Sequence, residues 1–194
     1  MTKFIGLLSN QDAVVLERYA AKSRAILEFG SGGSTHIFAQ AAPPQAKIVS
    51  VDTDPAWIDR TKDVLTRLGR PGAVAFQTYA EWEKLTCKAG EFSLVFVDGA
   101  TELRLPFARK AWGCLAIGGH MIFHDTRNKK YRANALTLIA QFADEIDLIL
   151  LNENSSNTSA IRKKRRERLV DWTKTEGKPP WAYGRAPVPP EFWK

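Results

Sequence analysis

Six short apolar runs, the first five each followed by a turn or an acid and then by a helical pattern, limit the architectures open to this chain. They are AILEF (25–29), KIVSVD (47–52), AVAFQTY (73–79), FSLVFVDG (92–99), HMIFHD (120–125) and IDLILLN (146–152). Nearly continuous apolar runs are strands buried on both faces, which is the mark of a parallel sheet. Between them lie helical patterns at 35–42, 55–69, 81–85, 103–119 and 131–146, and another at 12–23 precedes the first strand. Asp12 is placed to cap that first helix, Pro55 opens one and Gly69 closes it. Strand–helix alternation of this kind predicts a doubly wound α/β domain. One feature breaks the alternation. The six residues NENSSN (152–157) cannot house a crossover helix, so TSAIR (158–162) is expected to return antiparallel to the sixth strand as a seventh.

Composition adds limits. No apolar stretch approaches the roughly 20 residues that span a bilayer, and the apolar patch in MTKFIGLLSNQD is too short for a secretory signal. Neither a membrane partner nor export is expected. Cys87 and Cys114 form no CxxC pair and read as buried thiols, in keeping with a reducing cytoplasm. Of the net charge of +7, the run RKKRRER (162–168) supplies +5. The expected organisation is one domain over 1–168 and a tail over 169–194, rich in proline and tryptophan, extended against the domain or a partner subunit. Such a tail is compatible with a homo-oligomer.

In doubly wound sheets, ligands bind beyond the carboxyl ends of the strands, and the turn after the first strand is the usual place. That turn reads EFGSGGST (28–35). A P-loop needs a lysine before its hydroxyl residue, and none is present. A dinucleotide-binding turn needs a third glycine where Thr35 stands, and Glu28 before the turn would repel a pyrophosphate. A carboxylate there suits an ammonium group instead. Gly30 and Gly32 permit close backbone approach, Ser34 or Thr35 can cap the following helix, and Asp52, at the end of strand two, can accept hydrogen bonds from ribose hydroxyls.

The series E-F-G-S-G-G-S-T (28–35), S-V-D-T-D-x-x-W (50–57), F-V-D-G (96–99) and H-D-T (124–126), each at a strand end and in order, resembles the class I S-adenosylmethionine-dependent methyltransferases. It is most similar to bacterial small-molecule members related to the catechol and sugar O-methyltransferases. The resemblance spans roughly 10–165. It implies a Rossmann-like seven-stranded sheet with an antiparallel last strand, and a cytoplasmic enzyme that methylates a small-molecule acceptor, with a hydroxyl as the expected target. It also implies a site: Glu28, Gly30, Ser31, Gly32, Gly33, Ser34 and Thr35 around the amino-acid end of S-adenosylmethionine, Asp52, Thr53 and Trp57 near the ribose and base, Thr78 and Tyr79 near the adenine, and Asp98 by the cofactor.

Asp98, His124 and Asp125 are the expected catalytic group. In metal-dependent relatives, acids at the positions of Asp98 and Asp125 hold Mg2+, which binds the acceptor oxygen and lowers its pKa. Here the third ligand position offers only Thr126 or His124. The alternative is His124 as a general base, with Asp98 orienting the acceptor or the cofactor amine. The rim residues Arg127, Lys129, Lys130 and Arg132 suit either an anionic acceptor or a solvated loop. The 162–168 run raises a nucleic-acid substrate as an alternative, as does a non-catalytic S-adenosylmethionine-binding role. The absence of an N-P-P-Y or D-P-P-Y motif, and of room for a separate binding module, makes nucleic acid the less expected partner.

Overall fold

The computed structural model describes residues 8–164; the expected tail at 169–194 and the end of the basic run lie outside the described residues. In chain order the elements are α1 (Asn10–Ala20), β1 (Ala25–Phe29), α2 (Gly33–Ala41), β2 (Lys47–Asp52), α3 (Pro55–Arg67), β3 (Ala75–Thr78), α4 (Tyr79–Lys84), β4 (Phe92–Val97), α5 (Arg104–Cys114), β5 (Leu115–Phe123), α6 (Lys129–Gln141), β6 (Ile146–Leu150) and β7 (Ser159–Lys163). They form one seven-stranded sheet in the order β3-β2-β1-β4-β5-β7-β6. Strands β1 to β5 pair in parallel, and β7 is antiparallel to both β5 and β6. The order reverses between β1 and β4, so the turns after these two strands open a crevice at one end of the sheet.

The strands carry apolar residues on both faces because each face has its own helix layer. Leu27, Phe29, Val95, Val97 and Phe123 pack with Phe107, Trp112 and Leu138 of α5 and α6. Ile26, Ile48, Leu94, Phe96 and Ile122 pack with Leu16 of α1, Ile37 and Phe38 of α2 and Leu65 of α3. Successive strand residues point to opposite faces, so both layers read off the same run. No helix among the described residues is long and apolar enough to cross a membrane.

Three local expectations are corrected. The N-cap of α1 is Ser9, and Asp12 is the third helical residue of a reciprocal capping box. The helix expected over 103–119 stops at Cys114, and β5 starts at Leu115 without a loop. The glycines read as a helix end instead make an irregularity inside β5. Gly118 has φ +78°, and a Cβ on Gly119 would lie 2.8 Å from the Ala116 carbonyl and 3.0 Å from that of Ser93. Finally, Cys87 and Cys114 are paired as a disulfide, with Cα atoms 5.8 Å apart, within the usual range for a bridge. The two lie 27 residues apart, and only the docking of the loop after α4 on the end of α5 brings them together. A disulfide here departs from the buried thiols expected of a reducing cytoplasm.

Candidate active site

The turn after β1 is held from below by a carboxylate. Glu28 is wholly buried and accepts hydrogen bonds from Ser34, from Thr35 at 2.6 Å and from Ser50 at 2.6 Å. Burial pushes its pKa up, the three hydroxyls pull it back and the charge of Asp98 raises it further, leaving it at about 7. Above it, the backbone folds tightly. Gly30 has φ +97°, and a Cβ there would lie 2.7 Å from the amide nitrogen of Gly99. The turns after β1 and β4 therefore touch backbone to backbone, which only glycine permits. Ser31 N–H donates to Asp52 at 2.7 Å, Gly32 N–H donates to Thr35 Oγ1 at 2.8 Å, and the Trp57 indole donates to the Ser31 carbonyl.

The crevice is an open cavity of about 440 Å³. Gly30 to Ser34, Asp52 and Trp57 form one wall, and Asp98 to Ala100, Arg104, His124 and Asp125 form the other, with Leu8 at the mouth. Of the residues expected around a cofactor, Gly30, Ser31, Gly32, Gly33, Ser34, Asp52, Trp57 and Asp98 are brought together here. The others are not. Glu28 and Thr35 lie behind the loop and prop it. Thr53 is exposed after β2. Thr78 caps α4, with its amide donating to Glu81 at 2.7 Å, and the Tyr79 ring lies 5.4 Å from that of Phe29 in the core layer.

The second wall is a charge cluster built by four elements. His124, 3% exposed at the end of β5, has Nδ1 3.0 Å from Asp98 and Nε2 3.4 Å from Asp12 of α1. Asp125 Oδ1 lies 3.5 Å from His124 Nδ1. Burial pulls the imidazole pKa down, but the hydrogen bonds of Asp12 and Asp98 and the charges of Asp98 and Asp125 outweigh it, and the pKa rises to about 10. A pKa raised in this way favours the imidazolium at neutral pH, and both ring nitrogens are turned to carboxylates. Asp12 is wholly buried; burial alone raises its pKa, yet His124, Ser9 and the Asn157 amide hold it well below the usual range.

Arg104, 5% exposed in the first turn of α5, completes the cluster. Its Nη2 donates to the carboxylate of Asp98 at 2.8 Å and to the Asp98 carbonyl at 2.9 Å. Nε donates to the Gly99 carbonyl at 2.8 Å and Nη1 to the His124 carbonyl at 3.2 Å. The guanidinium stacks on Tyr131, 4.1 Å from the ring centre, and lies 3.8 Å from Asp125 Oδ2. Asp125 is the open member: its side chain is 37% exposed, its φ is +58°, and its partners are at ion-pair rather than close hydrogen-bond distance. Asp12 and Arg104 were missed from sequence as site residues. Nothing in local spacing marks either, since Asp12 also serves its helix end and Arg104 sits among other basic residues of α5.

Asp98, His124 and Asp125 each offer one atom to a metal, all within 4.8 Å of one another. The two carboxylates suit a hard cation. The rest of the cluster does not. Arg104 Nη2 already sits against both acids, and His124 Nδ1 is turned to both as well. The arrangement does not fit Mg2+.

Three of the described basic residues of the rim and the 162–168 run have structural partners. Arg127 donates to the carbonyls of Ser155 and Ser156, Arg162 pairs with Asp147 at 2.7 Å, and Lys163 donates to the Trp112 carbonyl at 2.8 Å.

Residues 27–126 match a family model described as a methyltransferase domain. No curated protein matches the sequence. Among solved structures, the fold is similar to an SAH-bound methyltransferase of Podospora anserina, with TM-score 0.65, 20% identity, and 81% of this chain and 80% of that one covered. It is also similar to an O-methyltransferase of Bacillus cereus in complex with SAH, with TM-score 0.63, 16% identity and 81% and 83% covered. A third is the O-methyltransferase TomG of Streptomyces achromogenes, involved in tomaymycin synthesis and in complex with SAM, with TM-score 0.63, 16% identity and 81% and 82% covered.

Proposed function

As this chain belongs to the methyltransferase-domain family, we propose that it transfers a methyl group from S-adenosylmethionine to a hydroxyl of a small-molecule acceptor. The observation that carries this reading is the convergence, in one cavity, of the glycine turn and Asp52 with a wall that bears the carboxylates of Asp98 and Asp125. When bound, S-adenosylmethionine supplies a sulfonium methyl for in-line displacement. It carries a net single positive charge, which complements that wall.

The residues divide the work as follows. Gly30 to Ser34 offer backbone at the start of α2, where amide donors suit a carboxylate. Asp52 spends one lone pair of each oxygen on the amides of Ser31 and Asp54 and keeps others for ribose hydroxyls. Trp57 fixes the loop through the Ser31 carbonyl and borders the same wall. Glu28 acts beneath the turn, where it orders three hydroxyl residues.

With both ring nitrogens turned to carboxylates, which raise its pKa, His124 serves as a positioning group rather than the base its residue type suggested. Asp125 is the base. Its carboxylate takes the proton of the acceptor hydroxyl, the oxygen lone pair forms the O–CH3 bond, and the S–CH3 bond breaks with its pair left on sulfur as a neutral thioether. Asp98 holds His124 and Arg104 in place and borders the cofactor side of the cavity.

Calorimetric titration with S-adenosylhomocysteine, followed by a screen of small hydroxylated compounds for methyl transfer, tests the reading. Micromolar binding and turnover of a hydroxylated compound are expected. Absence of binding would overturn the cofactor assignment, and turnover only on nucleic acid would overturn the acceptor class.

A further inference from the structure

The charge cluster contains its own cation. Two carboxylates that end neighbouring strands, Asp98 and Asp125, face the cavity in the way that would ordinarily call for a metal to hold them together. Arg104 Nη2 lies 2.8 Å from one and 3.8 Å from the other. Four of the five guanidinium N–H groups are donated to named oxygens on the turns after β4 and β5, and the fifth is on Nη1. A side chain tied at this many points, stacked on Tyr131 and almost wholly buried, does not swing aside to admit an ion.

We propose that Arg104 takes the place of a divalent cation, so that this enzyme is independent of metal ions. The guanidinium stands at the cavity wall beside both acids. There it neutralises Asp98, keeps the two carboxylates from repelling each other, and places a fixed positive charge near the acceptor oxygen as its proton leaves for Asp125. Arg is suited to this place because it stays charged and its planar fork can bind several acceptors at once. The role assigned to the acceptor side rests on the proposed methyl transfer; the exclusion of metal does not.

The test uses the full-length protein and Mn2+, a hard cation of the same oxygen-seeking class as Mg2+ with a signal in electron paramagnetic resonance. Mn2+ is titrated into wild type, Arg104→Gln and Arg104→Ala, each with and without S-adenosylhomocysteine, and folding of each is checked by circular dichroism. Wild type is expected to leave the free Mn2+ signal unchanged, while at least one variant, with the guanidinium gone from between the two acids, gains roughly tenfold or more in affinity. Stoichiometric Mn2+ binding by wild type would overturn the proposal. So would folded variants that bind no better than wild type, because some other feature would then keep metal out. Should neither variant fold, the wild-type titration decides alone. Turnover of wild type in excess chelator is expected to stay unchanged. Failure to bind S-adenosylhomocysteine in the same samples would count against the methyltransferase reading and not against the metal result.

Discussion

Nε2 of His124, at the end of β5, lies 3.4 Å from Oδ2 of Asp12 on the first helix, 112 residues away in sequence. The same Asp12 accepts from Ser9 Oγ at 2.7 Å and from the Asn157 amide at 2.7 Å. One carboxylate thus closes a helix end, anchors the turn before β7 and keeps the His124 ring charged. Asp12→Asn is expected to lower the His124 pKa by a unit or more, and to cost on the order of 1–3 kcal/mol of stability through the unsatisfied buried groups. Titration of the His124 ring by NMR, beside urea denaturation, checks both. An unchanged pKa would show that Asp98 and Asp125 sustain the charge without Asp12.

The charge on His124 also sets a pH window. Its folded-state pKa, at about 10, lies above the unfolded value near 6.5. Its contribution to stability is therefore complete below about pH 6.5 and is lost as pH rises toward 10. His124→Gln should remove that dependence. The difference in unfolding free energy between wild type and variant is expected to shrink from pH 7 to pH 10. A constant difference would mean that the ring is neutral in the folded protein.

Glu28 is raised as well, so the sign is the same and the window lower. Its contribution falls as pH rises from about 4.5 to about 7, because the buried acid must ionise. Glu28→Gln keeps the shape and abolishes the ionisation. Relative to wild type, it is expected to gain on the order of 2–3 kcal/mol between pH 5 and pH 8. Thermal unfolding of both proteins across that range is the measurement, and parallel curves would count against the assignment.

Gly30 and Gly99 meet backbone to backbone, so Gly30→Ala has nowhere to place its methyl. The substitution also strains a positive φ, at a cost of about 1–3 kcal/mol. Loss of S-adenosylhomocysteine affinity by tenfold or more is expected from the displaced turn, read by calorimetry. Unimpaired binding would mean that the turn is not the cofactor cradle.

Asp125→Asn tests the base. Asparagine tolerates positive φ, so the fold should persist. Turnover is expected to drop by about 10²–10⁴-fold with little change in S-adenosylhomocysteine affinity. Near-normal turnover would move the proton to another acceptor.

The apolar runs, the acids at their ends, Gly30 and the antiparallel last strand were legible because each is a local signal: strand period, helix stop, turn chemistry, loop length. Strand β2 falls on the predicted residues 47–52, and Asp52, Asp98, His124 and Asp125 stand at strand ends as expected. Local signals failed where two meanings share one residue type. Gly118 and Gly119 read as a helix end, but they permit an irregular strand instead. The surroundings of Glu28 carry no local signal either: three hydroxyls from two different segments donate to it beneath the turn. The sequence alone thus determined the strands in chain order, the antiparallel return of the last one and the strand ends at which Asp52, Asp98, His124 and Asp125 stand. Only the tertiary structure decided the charges there, because the pairing of Asp12 with His124 and the reach of Arg104 to Asp98 depend on how helices dock on the sheet. A side chain's protonation and its availability to a metal are set by those neighbours, through burial and Coulomb attraction, and not by its position along the chain.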